Sequence, residues 1–295
     1  MEIYIREPML SGGQRTKGIA KHSQENQPLI TVITVVRNGE KTLEETILSV
    51  INQTYKNVEY IIVDGASTDG TLDIIKKYED RIDYWISEPD KGIFDGMNKG
   101  IKMSYGGYIG FLNSGDFYEI DACEIIKNAF LLNPNAGVVY GNTNVIIKLW
   151  KRWYQYNIKP FDKVDNRIMK GFIFCHQSSF VKQNLFSIYG GFKNVLTTGD
   201  WLHFITLYKN NVEFLYIDKT IANYLEGGIS SGLNGFKEGT YYQKQFSTFK
   251  FHEYLFNLIK YYIKLLPFYH ACIFPLLWYS RFLLNKGKYR RIRFI

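Results

Sequence analysis

The residues with the clearest chemical potential are carboxylates that end apolar runs. The run from Ile109 to Leu112 stops at Asn113-Ser114-Gly115-Asp116, and the run from Val58 to Val63 stops at Asp64. Mg²⁺ or Mn²⁺ takes oxygen ligands, and Mg²⁺ is commonly held by one or two carboxylates, with phosphate oxygens and water completing its shell. One acid at such an end is therefore enough. Ser114 and Gly115 are small and would let a diphosphate approach the backbone. The same residue types also dominate ordinary turns, and Asp64-Gly65 is a common turn former, so both readings stand on the residues alone. Lys91 and Gly92 can meet phosphates or ribose, and Asp95 and Asn98 lie three apart on one helical face; an exposed, charged first turn fits Lys91 equally. Asp200 opens "DWLHFITLYKNN", where an acid is either a helix cap or a general base that accepts the proton of an attacking hydroxyl. His176 ends a short apolar run in "GFIFCHQSSF", where it is a site residue or a hydrogen-bonded core histidine. His22, His203, His252 and His270 show no ligand spacing, and Cys123, Cys175 and Cys272 form neither a disulfide framework nor a metal set.

Strands and helices must position these groups. "LITVITVVRN" is apolar on both faces, as a central parallel strand covered by helices should be. Thr42 and Glu45 have capping-box spacing, and Leu43, Ile47, Val50 and Ile51 then share a helical face. "VEYIIVD", the turn "GASTDGT" and "LDIIKKY" repeat the unit, with Ser67 and Asp69 expected as helix caps. "IDYWIS", "GIFDGMNKGIKMS" and "YIGFL" continue it. This alternation predicts an α/β fold with a mostly parallel central sheet flanked by helices, and ligands in such sheets sit outside the carboxyl ends of the strands. Asp64 and Asp116 each occupy one of those ends. After Leu132 the pattern turns mixed: strands in "VVYGNTNVII" and "GFIFCHQSSF", a helix in "DWLHFITLYKNN", paired strands in "VEFLYIDKTIANY", and a mobile loop at "GGISSGLNG".

In order, "TVITVVRNGEKTLEETILSVINQTYKNVEYIIVDGASTDGT", "SEPDKGIFDGMNKGI" and "GYIGFLNSGD" resemble the nucleotide-sugar half of a family-2 glycosyltransferase with the GT-A (Rossmann-like) fold. The likeness is strong from Leu29 to Tyr118, looser to Tyr224, and is greatest to transferases of bacterial O-antigen and other surface polysaccharides. It implies that Val35, Val36 and Asp64 bind the nucleotide. It implies too that Lys91, Gly92, Asp95, Asn98, Asn113, Ser114, Gly115 and His176 line the donor site. The family's Asp-x-Asp or Asp-Asp motif retains only Asp116, implied as the ligand of Mg²⁺ or Mn²⁺, and Gly65 stands where many members have a second acid. "TTGDWLHFITLYKNN" matches the segment that carries the general base, here Asp200. The implied function is an inverting, non-processive, metal-dependent transfer from a nucleotide-sugar, a UDP-sugar, to a glycan acceptor. The processive Gln-x-x-Arg-Trp motif is missing, since Arg152-Trp153 lacks the Gln. The alternative is a non-catalytic sugar-nucleotide-binding subunit of a polysaccharide assembly complex.

The organisation expected is a flexible leader over 1–28, a catalytic domain over 29–235 (nucleotide-sugar half to 132, acceptor half from 133), and a helical, membrane-proximal tail over 236–295. From Lys244 on there are ten Lys or Arg against Glu253 alone, so this stretch sums to +9 within a net charge of +8, and the rest is near neutral. Charge collected at one aromatic end argues for an anionic membrane surface and against a nucleic-acid groove. "LLPFYHACIFPLLWYS" is short for a span and is broken by Pro267 and Pro275, which fits helices lying in the interface. A lipid-linked acceptor would make that contact useful. The leader lacks a signal-peptide core, so the expected location is cytoplasmic, peripheral at the inner face of the plasma membrane.

Overall fold

A computed structural model describes residues 10–149, 152–226, 233–246 and 289–292. Its elements run β1 (Leu10–Gly12), β2 (Ile30–Val36), α1 (Leu43–Ile51), β3 (Val58–Asp64), α2 (Thr71–Lys77), β4 (Tyr84–Ser87), α3 (Ile93–Met103) and β5 (Tyr108–Phe111). There follow β6 (Phe117–Tyr118), α4 (Ala122–Leu132), β7 (Val138–Leu149), β8 (Arg152–Ile158), β9 (Ser179–Lys182), α5 (Gln183–Tyr189), α6 (Gly199–Lys209), β10 (Phe214–Leu225), α7 (Leu233–Phe246) and β11 (Tyr289–Ile292).

All described strands join one sheet, in the order β1-β4-β3-β2-β5-β9-β7-β10-β6, with β8 on β7 and β11 on β8. Its centre, β4-β3-β2-β5, is parallel. Every residue of β2 and β3 is buried, because helices cover both faces. On one face Leu43, Ile47 and Val50 of α1, Ile75 of α2, and Ile126 and Phe130 of α4 share a core with Val32 and Ile62. On the other, Phe94, Met97 and Ile101 of α3, Phe186 of α5, and Trp201 and Phe204 of α6 pack on Ile33 and Ile61. The three α3 residues recur every three or four positions, so helical spacing alone puts them on the buried stripe.

Antiparallel β9 stitches this centre to the second half by pairing with both β5 and β7. The expected pair of strands after Asn211 is one strand, β10, whose register against β7 shifts between Tyr216 and Thr220 and again before Ala222. Such bulges break the alternation that a sequence reading follows. "GFIFCHQSSF" yields strand only from Ser179, because the hydroxyls of Ser178 and Ser179 bond back to the carbonyls of Cys175 and His176 and close a 3₁₀ turn, His176–Ser178. The capping box at α1 is not made: the Thr42 hydroxyl meets Ser114 instead.

Residues 10–28 correct the expectation of a flexible leader. β1 pairs antiparallel with β4, and Lys21 bonds Asp83 and the carbonyl of Val58. Arg15 bonds the buried Glu59 and the Met103 carbonyl, and its guanidinium lies 3.8 Å from the centre of the Tyr105 ring. Burial raises the Glu59 carboxyl, while hydrogen bonds from Thr31 and the Tyr105 amide and the charge of Arg15 draw it back. Of the tail, the described start lies in the helix α7, which packs on the catalytic body, whereas Tyr289–Ile292 is a strand and not helix. Residues 227–232 of the expected mobile loop and the apolar run 265–280 lie outside the described residues.

The stitch depends on Gly110, where a Cβ would overlap the ring of Phe180 on β9. Gly110→Ala is expected to destabilise the fold by about 1–3 kcal/mol, the range for forced overpacking. Urea unfolding checks this, and an unchanged midpoint contradicts it.

Candidate active site

The polar break after β5 forms the floor of the site. Gly115 has φ +100, which only glycine adopts without strain, and its amide donates to the Thr46 hydroxyl. The same hydroxyl donates to the carbonyl of Asp116, and Ser114 shares a hydrogen bond with Thr42. The loop is thereby fastened to the first two turns of α1, which leaves Asn113 and Asp116 for the side facing the second half.

There, one 3₁₀ turn holds both key acids. Gln177 Nε2 donates to Asp116 Oδ2 at 2.9 Å, and His176 Nδ1 lies 2.8 Å from Asp200 Oδ2. The other oxygen of Asp116 accepts from the Leu225 amide at the end of β10, and the other oxygen of Asp200 accepts from the Trp201 amide. Asn113 Nδ2 stands 3.3 Å from His176 Nε2. With a proton on Nδ1, the imidazole donates to Asp200 and accepts from Asn113, so a continuous chain joins the β5 loop to the start of α6. Asp116 and Asp200, far apart in sequence, each touch one of two consecutive residues. Both are only 4% exposed, and both are ringed by donors, not by apolar side chains alone.

Burial lifts the Asp116 carboxyl to about 6, against the opposing hydrogen bonds from Leu225 and Gln177 and the nearby His176. Asn113 Oδ1 is buried with no hydrogen-bond partner. A buried carboxyl group and an unpartnered amide oxygen supply the oxygen ligands that a hard cation takes when it shares its shell with a diphosphate. They do not fit one held by the chain alone, since no cluster of three His, Cys, Asp or Glu occurs among the described residues. His203 stands outside the constellation: stacked on Phe186, its ring is lowered to about 4 by burial.

The remaining residues expected in the site have structural work in this state. The Asp64 carboxylate is fully buried; it accepts from the amide and hydroxyl of Ser67 and from Ser87 Oγ at 2.6 Å, so Ser67 holds Asp64 and is not a helix cap. Asp69 is not the cap either: it lies one residue before the N-cap, Gly70, and takes the amide and hydroxyl of Thr71. Val35 and Val36 are buried at the end of β2, and the Val36 carbonyl takes the Gly65 amide. Asp95 accepts from the Lys91 amide, and Gly92, at φ +118, gives its amide to Asp90. Asn98 bonds through both amide atoms to the main chain of Phe192, at 2.8 Å each, and so ties α3 to the loop before α6. Two site residues escaped the sequence reading. Gln177 carried only its adjacency to His176 as a signal, and Leu225 contributes through its backbone, which no side-chain pattern reports.

The model of the family described as "Glycosyl transferase family 2" matches residues 31–188, more than half of the chain and all of the β2–β9 framework just described. The chain belongs to glycosyl transferase family 2. This family-2 chain is 39% identical over 101 residues to "Putative teichuronic acid biosynthesis glycosyltransferase TuaG" of Bacillus subtilis, covering 33% of the chain and 40% of that protein. It is 37% identical over 120 residues to an "Uncharacterized glycosyltransferase" of Haemophilus influenzae, covering 40% of the chain and 48% of that protein. It therefore spans under half the length of these two relatives. A "PGL/p-HBAD biosynthesis glycosyltransferase" of Mycobacterium bovis is 29% identical over 212 residues, 69% of the chain and 80% of that protein. The fold is shared with S. aureus TarS, solved in complex with UDP-GlcNAc, at a TM-score of 0.59 and 19% identity over 72% of this chain and 64% of that one. It is shared also with the mannosyltransferase PcManGT of Pyrobaculum calidifontis, solved with GDP-Man and Mn²⁺, at a TM-score of 0.52 and 17% identity over 77% and 64%.

A carboxyl raised from 3.8 to about 6 holds its proton more tightly in the folded than in the unfolded chain. Its contribution to stability is thus complete below about 3.8 and lost as the pH rises through about 6, a difference of roughly 3 kcal/mol. In Asp116→Asn, Gln177 can turn its amide and keep both hydrogen bonds. The variant is expected to melt higher than the parent at pH 8 without divalent cations, and to show no gain at pH 4. An equal or lower Tm at pH 8 contradicts this.

Proposed function

We propose that the chain transfers a sugar from a nucleotide-sugar, a UDP-sugar, to a glycan acceptor by a single displacement that inverts the anomeric centre, without processive elongation, in surface-polysaccharide assembly. One observation carries this reading: consecutive residues of one turn, His176 and Gln177, hold the two acids that such a transfer needs. In the step proposed, the acceptor hydroxyl oxygen bonds to the anomeric carbon as the bond from that carbon to the diphosphate oxygen breaks. The hydroxyl proton passes to Asp200, and the electron pair of the broken bond leaves with the nucleoside diphosphate. His176 fixes the orientation of the Asp200 carboxylate, and Asn113 fixes His176.

Asp116, with Asn113 Oδ1 beside it in sequence, would hold Mg²⁺ or Mn²⁺ jointly with the donor. When bound, such a cation neutralises charge developing on the leaving diphosphate. Val35, Val36, Asp64, Lys91 and Gly92, at the carboxyl ends of β2 and β3 and before α3, frame the side where the nucleotide is proposed to sit. UDP is supported by the TarS complex and metal use by PcManGT, both alike in fold. An acceptor on a lipid carrier and contact with an anionic membrane surface belong to the same reading and are supported by the concentration of positive charge after Lys244. No helix of the described residues is long and apolar enough to cross a membrane.

Asp200→Asn tests the base with little disturbance of the fold. The oxygen of the introduced amide can accept from His176 Nδ1, so His176 and Asn113 keep their places and only the hydrogen bond from the Trp201 amide is lost. Transfer is expected to fall about 100-fold or more, with donor affinity kept. Turnover near that of the parent in a UDP-sugar assay with Mn²⁺ overturns the base assignment.

A further inference from the structure

One carboxylate outside the site has an unusual set of partners. Glu238, on α7, accepts from three successive backbone amides: Leu196 at 2.8 Å, Thr197 at 2.6 Å and Thr198 at 3.1 Å. It takes the hydroxyls of Thr197 and Thr198 as well, at 2.8 and 3.2 Å. These residues lead directly into α6, whose first turn carries Asp200. Helix starts leave amides without partners, and Thr198, at the N-cap position, does not use its own hydroxyl to satisfy them. A carboxylate from a distant helix instead holds the amides of the two residues before the cap and of the cap itself. Charge-assisted bonds and the helix dipole both favour an anion there. Burial pushes the Glu238 carboxyl up, and the hydrogen bonds from Leu196 to Thr198 outweigh it and hold it below the ordinary range.

The rest of α7 braces the same region. Gln243 donates to the Lys170 carbonyl at 2.7 Å, at the end of the turn Asn166–Lys170, and Trp201, next to Asp200, donates its indole N–H to the Ile168 carbonyl in that turn. Phe246 meets Trp201 edge-on. Leu225, the last residue of β10, holds Asp116 through its amide, while Glu238 holds the loop that leads to Asp200.

We propose that Glu238 is a positioning residue: by fixing Leu196–Thr198 it sets where α6 begins, and so where Asp200 stands relative to His176 and an incoming acceptor hydroxyl. This rests on the transfer reading above. Displacement of a base by about 1 Å can lower turnover on the order of 100-fold, so the clamp acts on kcat more than on donor binding.

The test compares Glu238→Gln, Glu238→Ala and Asp200→Asn with the double variant Glu238→Gln/Asp200→Asn, in the full chain. Expected are a fall in kcat of about tenfold or more for Ala and a smaller one for Gln, which keeps one acceptor oxygen, with donor KM within about twofold of the parent. The Gln change should cost nothing further in the Asp200→Asn background, because a residue that acts through the base has nothing left to position. Hydrogen exchange at the amides of 196–198 should quicken in Glu238→Gln. Independent, multiplicative losses in the double variant, or exchange as slow as in the parent, overturn the proposal. Should Glu238→Ala not fold, the Gln variant decides. A parent that transfers no UDP-sugar defeats the transfer reading itself, and the exchange measurement then still decides whether Glu238 holds the loop.

Discussion

Two carboxylates cannot be taken out of water in one protein without partners, and the structure is organised around supplying them. Burying an unpaired acid costs several kcal/mol, whereas one that accepts two good hydrogen bonds can remain, with its ionisation tuned by how good they are. The turn His176–Ser178 provides one partner for each acid. Everything that fixes this turn therefore fixes both carboxylates: the serine hydroxyls that close it, β9 that follows it, and the β5–β9–β7 stitch that holds β9 between the two halves of the sheet.

The parallel centre and the site's first half were legible in the sequence because local rules and global fold agree there. β2 and β3 are runs dominated by β-branched and other apolar residues, α3 keeps its stripe, and Asn-Ser-Gly-Asp after β5 is a turn that carries a candidate site. Legibility fell where a contact is distant or runs through the backbone. Thr42 looked like a cap because nothing local reveals that Ser114 claims its hydroxyl. Ser67 looked like one too, though it fastens Asp64. Helical spacing gives the face of Asn98 but not its tie to Phe192, which lies 94 positions on. The resemblance implied that Asp200 and His176 serve one site; that they touch, and that Gln177 and Leu225 share Asp116, it did not show.

The second half trades regularity for reach. β7 and β10 are each twelve residues long, and the bulged register between them lets β10 close on β6 while its final amide arrives at Asp116. The buried Asn144 of β7 and Asn223 of β10 bond to one another and to the partly buried Glu119, and Asn157 on the exposed part of β8 donates to Asn144. Such a net is favourable only when complete, so it fixes one alignment of the two strands.

β1 carries a separate consequence. An outermost strand offers unpaired N–H and C=O groups to any other chain. Three residues, Leu10–Gly12, take up the border that β4 would otherwise present, while Arg15 gives Glu59 its counter-charge. Trimming the polypeptide back to Leu29 would spare every group proposed to act on a sugar, yet it would bare a hydrogen-bonding rim and strand a buried anion, and the harm would surface as clumping during purification before any assay was run.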